Sequence, residues 1–165
     1  MSGVSGASTV AARLRVRFAK VGRVRWTSHR DVARMWERAL RRGRVPVAYT
    51  AGFSPRPQIS FGLALPTGCE SVAEYLDLAL DEVVSPEDLS ATVGGLLPEG
   101  VSMVAAATLD AGAPSLQQEV TSCSWHIAVP GVEMAELEAA VARTTAAASL
   151  PVHRQRKGRT VEDDL

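Results

Sequence analysis

Cysteine, lysine and aromatic residues are all scarce in this 165-residue chain. The two cysteines, Cys69 and Cys123, lie 54 positions apart, which excludes a disulfide framework and the close spacing of a zinc or iron–sulfur site. His29, His126 and His153 are equally scattered, with none at the i, i+4 spacing of a helical metal pair, so no metal site is expected. No apolar run approaches the roughly 18–20 residues that a membrane-spanning helix needs. The start, Met1 to Thr9, lacks the charged and apolar regions of a secretory signal, and residues 1–12 are expected to be a disordered cytoplasmic leader. With 46% hydrophobic residues, the composition excludes a disordered or collagen-like chain.

What is present is arginine, unevenly placed. The formal charges cancel, 18 basic against 18 acidic. From Met1 to Ser60, however, 13 basic residues face 2 acidic ones, whereas from Phe61 to Leu150 a single basic residue faces 13 acidic ones. A basic surface and an acidic surface are implied, and a basic surface is what a phosphate backbone selects. Codon bias accounts for 16 arginines against 2 lysines, but not for concentrating them in the first third.

The apolar periodicities outline a fold. Leu14, Val16 and Phe18 alternate with Arg13, Arg15 and Arg17, the period of a half-buried strand with guanidiniums on its other side. Arg23 to Thr27 repeats the alternation and predicts a return strand, making an N-terminal hairpin. Ser28-His29-Arg30-Asp31 has the form of a capping box. Val32, Met35, Trp36, Ala39 and Leu40 then mark one face of a helix ended by Gly43. Arg30, Arg34 and Arg38 fall off that face at i+4 spacing and form a ridge. In Gly52-Phe53-Ser54-Pro55-Arg56-Pro57, two prolines stiffen the chain on either side of Arg56. Strands are expected at Gln58–Leu65, Ala73–Leu80 and Val101–Leu109, and a helix from Pro86 capped by Ser85. The order is that of an α+β, ferredoxin-like βαββαβ unit over residues 13–109. A linker over 110–120 follows, with Gly112 and Pro114. Residues 121–165 are expected to form a partial second unit, with a strand at Ser122–Val129, a helix at Met134–Ala148 and a short strand at Val152–Arg156.

Several linked motifs carry a resemblance: Ser28-His29-Arg30-Asp31, Glu37-Arg38-Ala39-Leu40-Arg41-Arg42, Gly52-Phe53-Ser54-Pro55-Arg56-Pro57, Ser60-Phe61, Gly68-Cys69-Glu70-Ser71 and Glu74-Tyr75-Leu76-Asp77. Together they resemble the radical SAM-linked (radical SAM-associated) family, a domain of unknown function. Its members occur as separate chains or fused behind a radical S-adenosylmethionine domain. The likeness is strong from about Leu14 to Leu80 and weaker from Lys157 to Leu165. Members run further, so the resemblance implies that the chain is truncated at its C-terminus. It also implies a radical SAM protein as partner, which would hold the S-adenosylmethionine and the 4Fe–4S cluster. Two distant cysteines cannot supply the three-cysteine motif of that cluster, so no cofactor is expected in this chain.

Three functions follow as expectations. The first is a cytoplasmic accessory protein that binds structured RNA through Arg15, Arg17, Arg25, Arg30, Arg34, Arg38, Phe53 and Arg56 and presents it to the partner. The second is an RNA-processing or RNA-modifying enzyme, with His29 as general acid or base and Asp31 beside it. The third is a protein-docking subunit that touches no nucleic acid. No membrane partner is expected.

Overall fold

A computed structural model describes residues 10–156 and 158–164. The chain divides into two compact units, one ending at Ser122 and the other beginning at Cys123.

The first unit is built on one antiparallel sheet. Strand β1 (Ala12–Lys20) is followed by helix α1 (His29–Arg42), β2 (Ile59–Phe61), β3 (Ser71–Leu80), α2 (Pro86–Val93) and β4 (Val101–Thr108). The strand order is β2-β3-β1-β4, and every neighbouring pair is antiparallel. Each βαβ crossover therefore straddles a strand of the other, the ferredoxin-like arrangement that the periodicities predict. Leu14, Val16 and Phe18 of β1 and Leu76, Leu78 and Leu80 of β3 point to one side of the sheet. There they form a single core with Val32, Trp36, Ala39 and Leu40 of α1 and Leu89 and Val93 of α2. Phe18 meets Trp36 edge-on, ring centroids 5.3 Å apart. Both helices thus cover one face, and the alternate residues Arg13, Arg15, Arg17, Tyr75 and Asp77 belong to the other.

The helix starts are as the sequence implies. Ser28 Oγ accepts from the Asp31 backbone N–H, and the Asp31 carboxylate accepts from the Ser28 N–H and hydroxyl. Ser85 caps α2 through its side chain, its Oγ accepting from the Asp88 N–H and its hydroxyl donating to the Asp88 carboxylate, with Pro86 at the first position. At the end of α1, Gly43 favours close approach rather than a turn: its φ is −74°, and a Cβ there would lie 2.7 Å from Thr92 Cγ2 of α2.

Three expectations are corrected. Residues Gly22–Trp26 form a 3₁₀ helix, not the return strand of a hairpin. Strand β1 is already paired on both edges, by β3 and β4, so no position beside it remains for a return strand. The carbonyls of the segment are used otherwise: buried Lys20 donates from Nζ to Arg25 O and Thr27 O. Second, β2 is only three residues long; Gly62 N still donates to Tyr75 O, and the chain then leaves the ladder. Third, the segment expected as a linker is bonded into the first unit. It carries a helical turn, α3 (Leu116–Glu119), whose Leu116 is buried, and Gln117 donates to Phe61 O.

The second unit comprises α4 (Met134–Ala146) and a hairpin of β5 (Pro151–Arg156) and β6 (Arg159–Asp164). The strand expected at Ser122–Val129 does not form. Its alternating apolar residues find no partner strand among the described residues, because β5 and β6 pair with each other, and Trp125 and Ile127 stay exposed. The second βα element is thereby reduced to its helix. Of the expected leader, residues 1–9 lie outside the described residues, and β1 begins at Ala12 within it.

Candidate nucleic-acid interface

The amphipathic pattern of α1 decides where its arginines stand. With Val32, Trp36, Ala39 and Leu40 turned to the sheet, Arg30, Arg34, Arg38, Arg41 and Arg42 are exposed on the outer side, and Arg44 in the following turn adds a sixth cation. Arg44 has φ +53°, a left-handed conformation that costs a residue with a side chain about 1 kcal/mol or more. Along this ridge Arg34 pairs with Asp31 at 3.7 Å, Arg30 also acts on that carboxylate, and none of the other five forms an ion pair among the described residues. Asp31 is itself engaged: its hydrogen bonds to the Ser28 hydroxyl and backbone hold its carboxyl below the usual carboxylate range.

The loop after Val47 stands beside the C-terminal half of α1. Thr50 N donates to Arg56 O, Arg56 N donates to Thr50 Oγ1, and the Gln58 side chain donates to Tyr49 O, so the loop is closed across its base. Gly52, at φ +123°, turns the tip where few other residues could. Arg56 and Phe53 are exposed there, the Phe53 ring completely. Between loop and helix runs a groove of about 270 Å³, counting the space open to solvent. Leu40, Val45, Val47 and Ile59 make it apolar, and Glu37, Arg41, Tyr49 and Pro57 complete its lining.

Strand arginines behave differently. Arg15 lies opposite Asp77 in register and grips it with two hydrogen bonds, Nε to Oδ1 at 2.7 Å and Nη2 to Oδ2 at 3.0 Å. Arg13 Nη2 meets the same carboxylate at 3.3 Å. The second edge of Arg15 bonds Glu119 and Pro114 O, and Arg13 Nη1 donates to Ala113 O. The Asp77 hydrogen bond raises the affinity of Arg15 for its proton, against the opposing effect of burial. Arg17 donates to Val72 O. These residues lie on the face of the sheet away from α1, so the structure does not bring Arg15 and Arg17 together with Arg30, Arg34 and Arg38. Arg25 is on the 3₁₀ helix, paired with Glu70 at 3.1 Å and placed 5.2 Å over the Trp26 ring.

His29 occupies the first turn of α1, exposed, with its ring edge-on to Phe61 at 5.3 Å. Asp31 is committed to the capping box, so the two do not form an acid–base pair. Among the described residues no group of His, Cys, Asp and Glu could hold a metal ion. Of the groove residues, Glu37 opens the Glu37–Arg42 motif without standing out as a site residue, and Tyr49 belongs to no motif. Their signal was position: Glu37 sits on the shoulder of the α1 apolar face, and Tyr49 just ahead of the stiff loop.

Fold and site define an α+β unit of ferredoxin-like topology with a cationic helix beside an aromatic loop. The sequence model of a family described as "Uncharacterized protein conserved in bacteria (DUF2344)" matches residues 13–165, and the chain belongs to that family. No curated protein and no solved structure matches it. No helix among the described residues is long and apolar enough to cross a membrane.

Proposed function

We propose that this chain is a cytoplasmic RNA-binding accessory protein that presents RNA to a radical SAM enzyme. The observation that carries the RNA reading is the set of six exposed arginines on α1 and its terminal turn, of which Arg34 alone forms an ion pair among the described residues. Cations left without counter-charges in the fold are available to phosphates, and their neutralisation releases the counterions condensed on the strand. Phe53 and Arg56, on a loop closed at its base, supply a stacking ring and a further cation at low entropic cost. The radical SAM partner rests on the motif resemblance between about Leu14 and Leu80, and that partner would hold the S-adenosylmethionine and the cluster.

The test is titration of the protein with a single-stranded RNA at several salt concentrations. Contact with four to six phosphates gives a log–log slope of about −0.7 for each, or roughly −3 to −4 in all. A flat response would reject the RNA reading and favour docking of a protein. Purification at gentle salt, with the associated protein and RNA both identified, tests the partner; recovery without any radical SAM protein would remove it.

A further inference from the structure

We propose that the groove between α1 and the Tyr49–Pro57 loop is a base-binding site selective for guanine in a single strand. The inference rests on the RNA reading and assigns its specificity to one place. Glu37 and Arg41 are spaced i, i+4, an arrangement that ordinarily closes into an ion pair on a helix surface. Here they do not pair, although both line the groove. The Tyr49 hydroxyl, on the same rim, also has no hydrogen-bond partner among the described residues. Three polar side chains thus line one shallow groove with an apolar floor, none with a side-chain hydrogen bond or ion pair among the described residues.

Their chemistry is selective. An ionised carboxylate only accepts hydrogen bonds, and it does so through two oxygens side by side. Among the Watson–Crick edges of the four RNA bases, guanine alone offers two adjacent donors, the ring N1–H and the exocyclic amine. Adenine and cytosine set one donor beside an acceptor, and uracil flanks its donor with acceptors. Glu37 therefore fits guanine at both oxygens and repels the acceptor of the others. Leu40, Val47 and Ile59 would contact one face of the base and Tyr49 its edge or other face, while Arg41 takes the adjoining phosphate.

The experiment uses the full chain and four labelled pentanucleotides, each at several salt concentrations: all uridine, and uridine with a central guanosine, inosine or adenosine. Guanosine should bind roughly 10- to 100-fold more tightly than adenosine, with inosine, which lacks the amine, in between. Glu37→Gln should remove the preference, weakening the guanosine strand relative to the all-uridine one, and Tyr49→Leu should weaken the guanosine strand most. Both variants are checked by circular dichroism. Guanosine monophosphate, but not adenosine monophosphate, should compete. If all four strands bind alike with a steep salt response, the guanine site is wrong and the RNA reading stands. If none binds, both fall together.

Discussion

On the sheet's outer face, Arg13 and Arg15 close on the buried carboxylate of Asp77 and on the chain that follows β4; along α1 and the turn after it, six arginines make a single ion pair among the described residues. The residue type is the same and the surroundings are opposite. The strand guanidiniums are structural because a register partner supplies a carboxylate and because residues 113–119 return across them. The helix guanidiniums are available because α1 carries only two acidic residues, Asp31 and Glu37, and of these Asp31 is engaged in the helix cap. Abundance of arginine therefore does not mark an interface; absence of a counter-ion does.

The largest effect that could break this contrast is at Asp77. Asp77→Ala leaves two guanidiniums facing each other on a largely covered face, and should cost about 3 kcal/mol or more in urea unfolding. Binding of RNA by any molecules that remain folded should be little changed. A variant as stable as the parent would show that the sheet arginines do not need their carboxylate. Next in size, Phe53→Ala should weaken RNA binding by about 1–3 kcal/mol without altering the salt slope, since a stacked ring releases no counterions. An altered slope would mean that the loop acts through charge.

Ser28→Ala should cost roughly 0.5–2 kcal/mol at neutral pH, the ordinary value of a helix cap. Its pH dependence sharpens the contrast. The Asp31 carboxyl is held below its unfolded value by Ser28, so its contribution is present above the unfolded value and is lost as pH falls through the folded one. Acid should therefore narrow the gap between parent and Ser28→Ala; a gap that widens on acidification would contradict the assignment. The smallest effect concerns Arg44. Arg44→Gly should stabilise the fold by roughly 0.5–1 kcal/mol, the left-handed penalty less the extra entropy that glycine loses. The same change should make the salt slope shallower by about 0.7 if Arg44 reaches a phosphate. A gain in stability with no change in slope would place Arg44 outside the interface.

The first unit was legible where one side of an element is buried. Leu14, Val16 and Phe18, and Val32, Trp36, Ala39 and Leu40, imposed periods of two and 3.6, and the antiparallel sheet with its two helices follows from them. Arg23–Thr27 misled because alternation reports a preference for extended chain and not whether a neighbouring edge is vacant. Ser122–Val129 misled for the same reason. Of the site, Arg30, Arg34, Arg38, Phe53 and Arg56 were visible as a ridge and a stiff loop. The engagement of Arg15 was not, since Asp77 and Glu119 lie 62 and 104 positions away and only the β1–β3 register and the returning chain bring them close.

Lys20 has a consequence for chemistry done on the protein. It is one of only two lysines in the sequence, and its ammonium is spent on the carbonyls of Arg25 and Thr27 inside the folded unit. An acyl group on that nitrogen would remove both its charge and its spare protons, so acylation and the native state exclude each other at this position. Amine-directed labelling of Lys20 would thus act as a clock for opening of the β1 end: slow in the intact protein, fast wherever the 3₁₀ helix lets go.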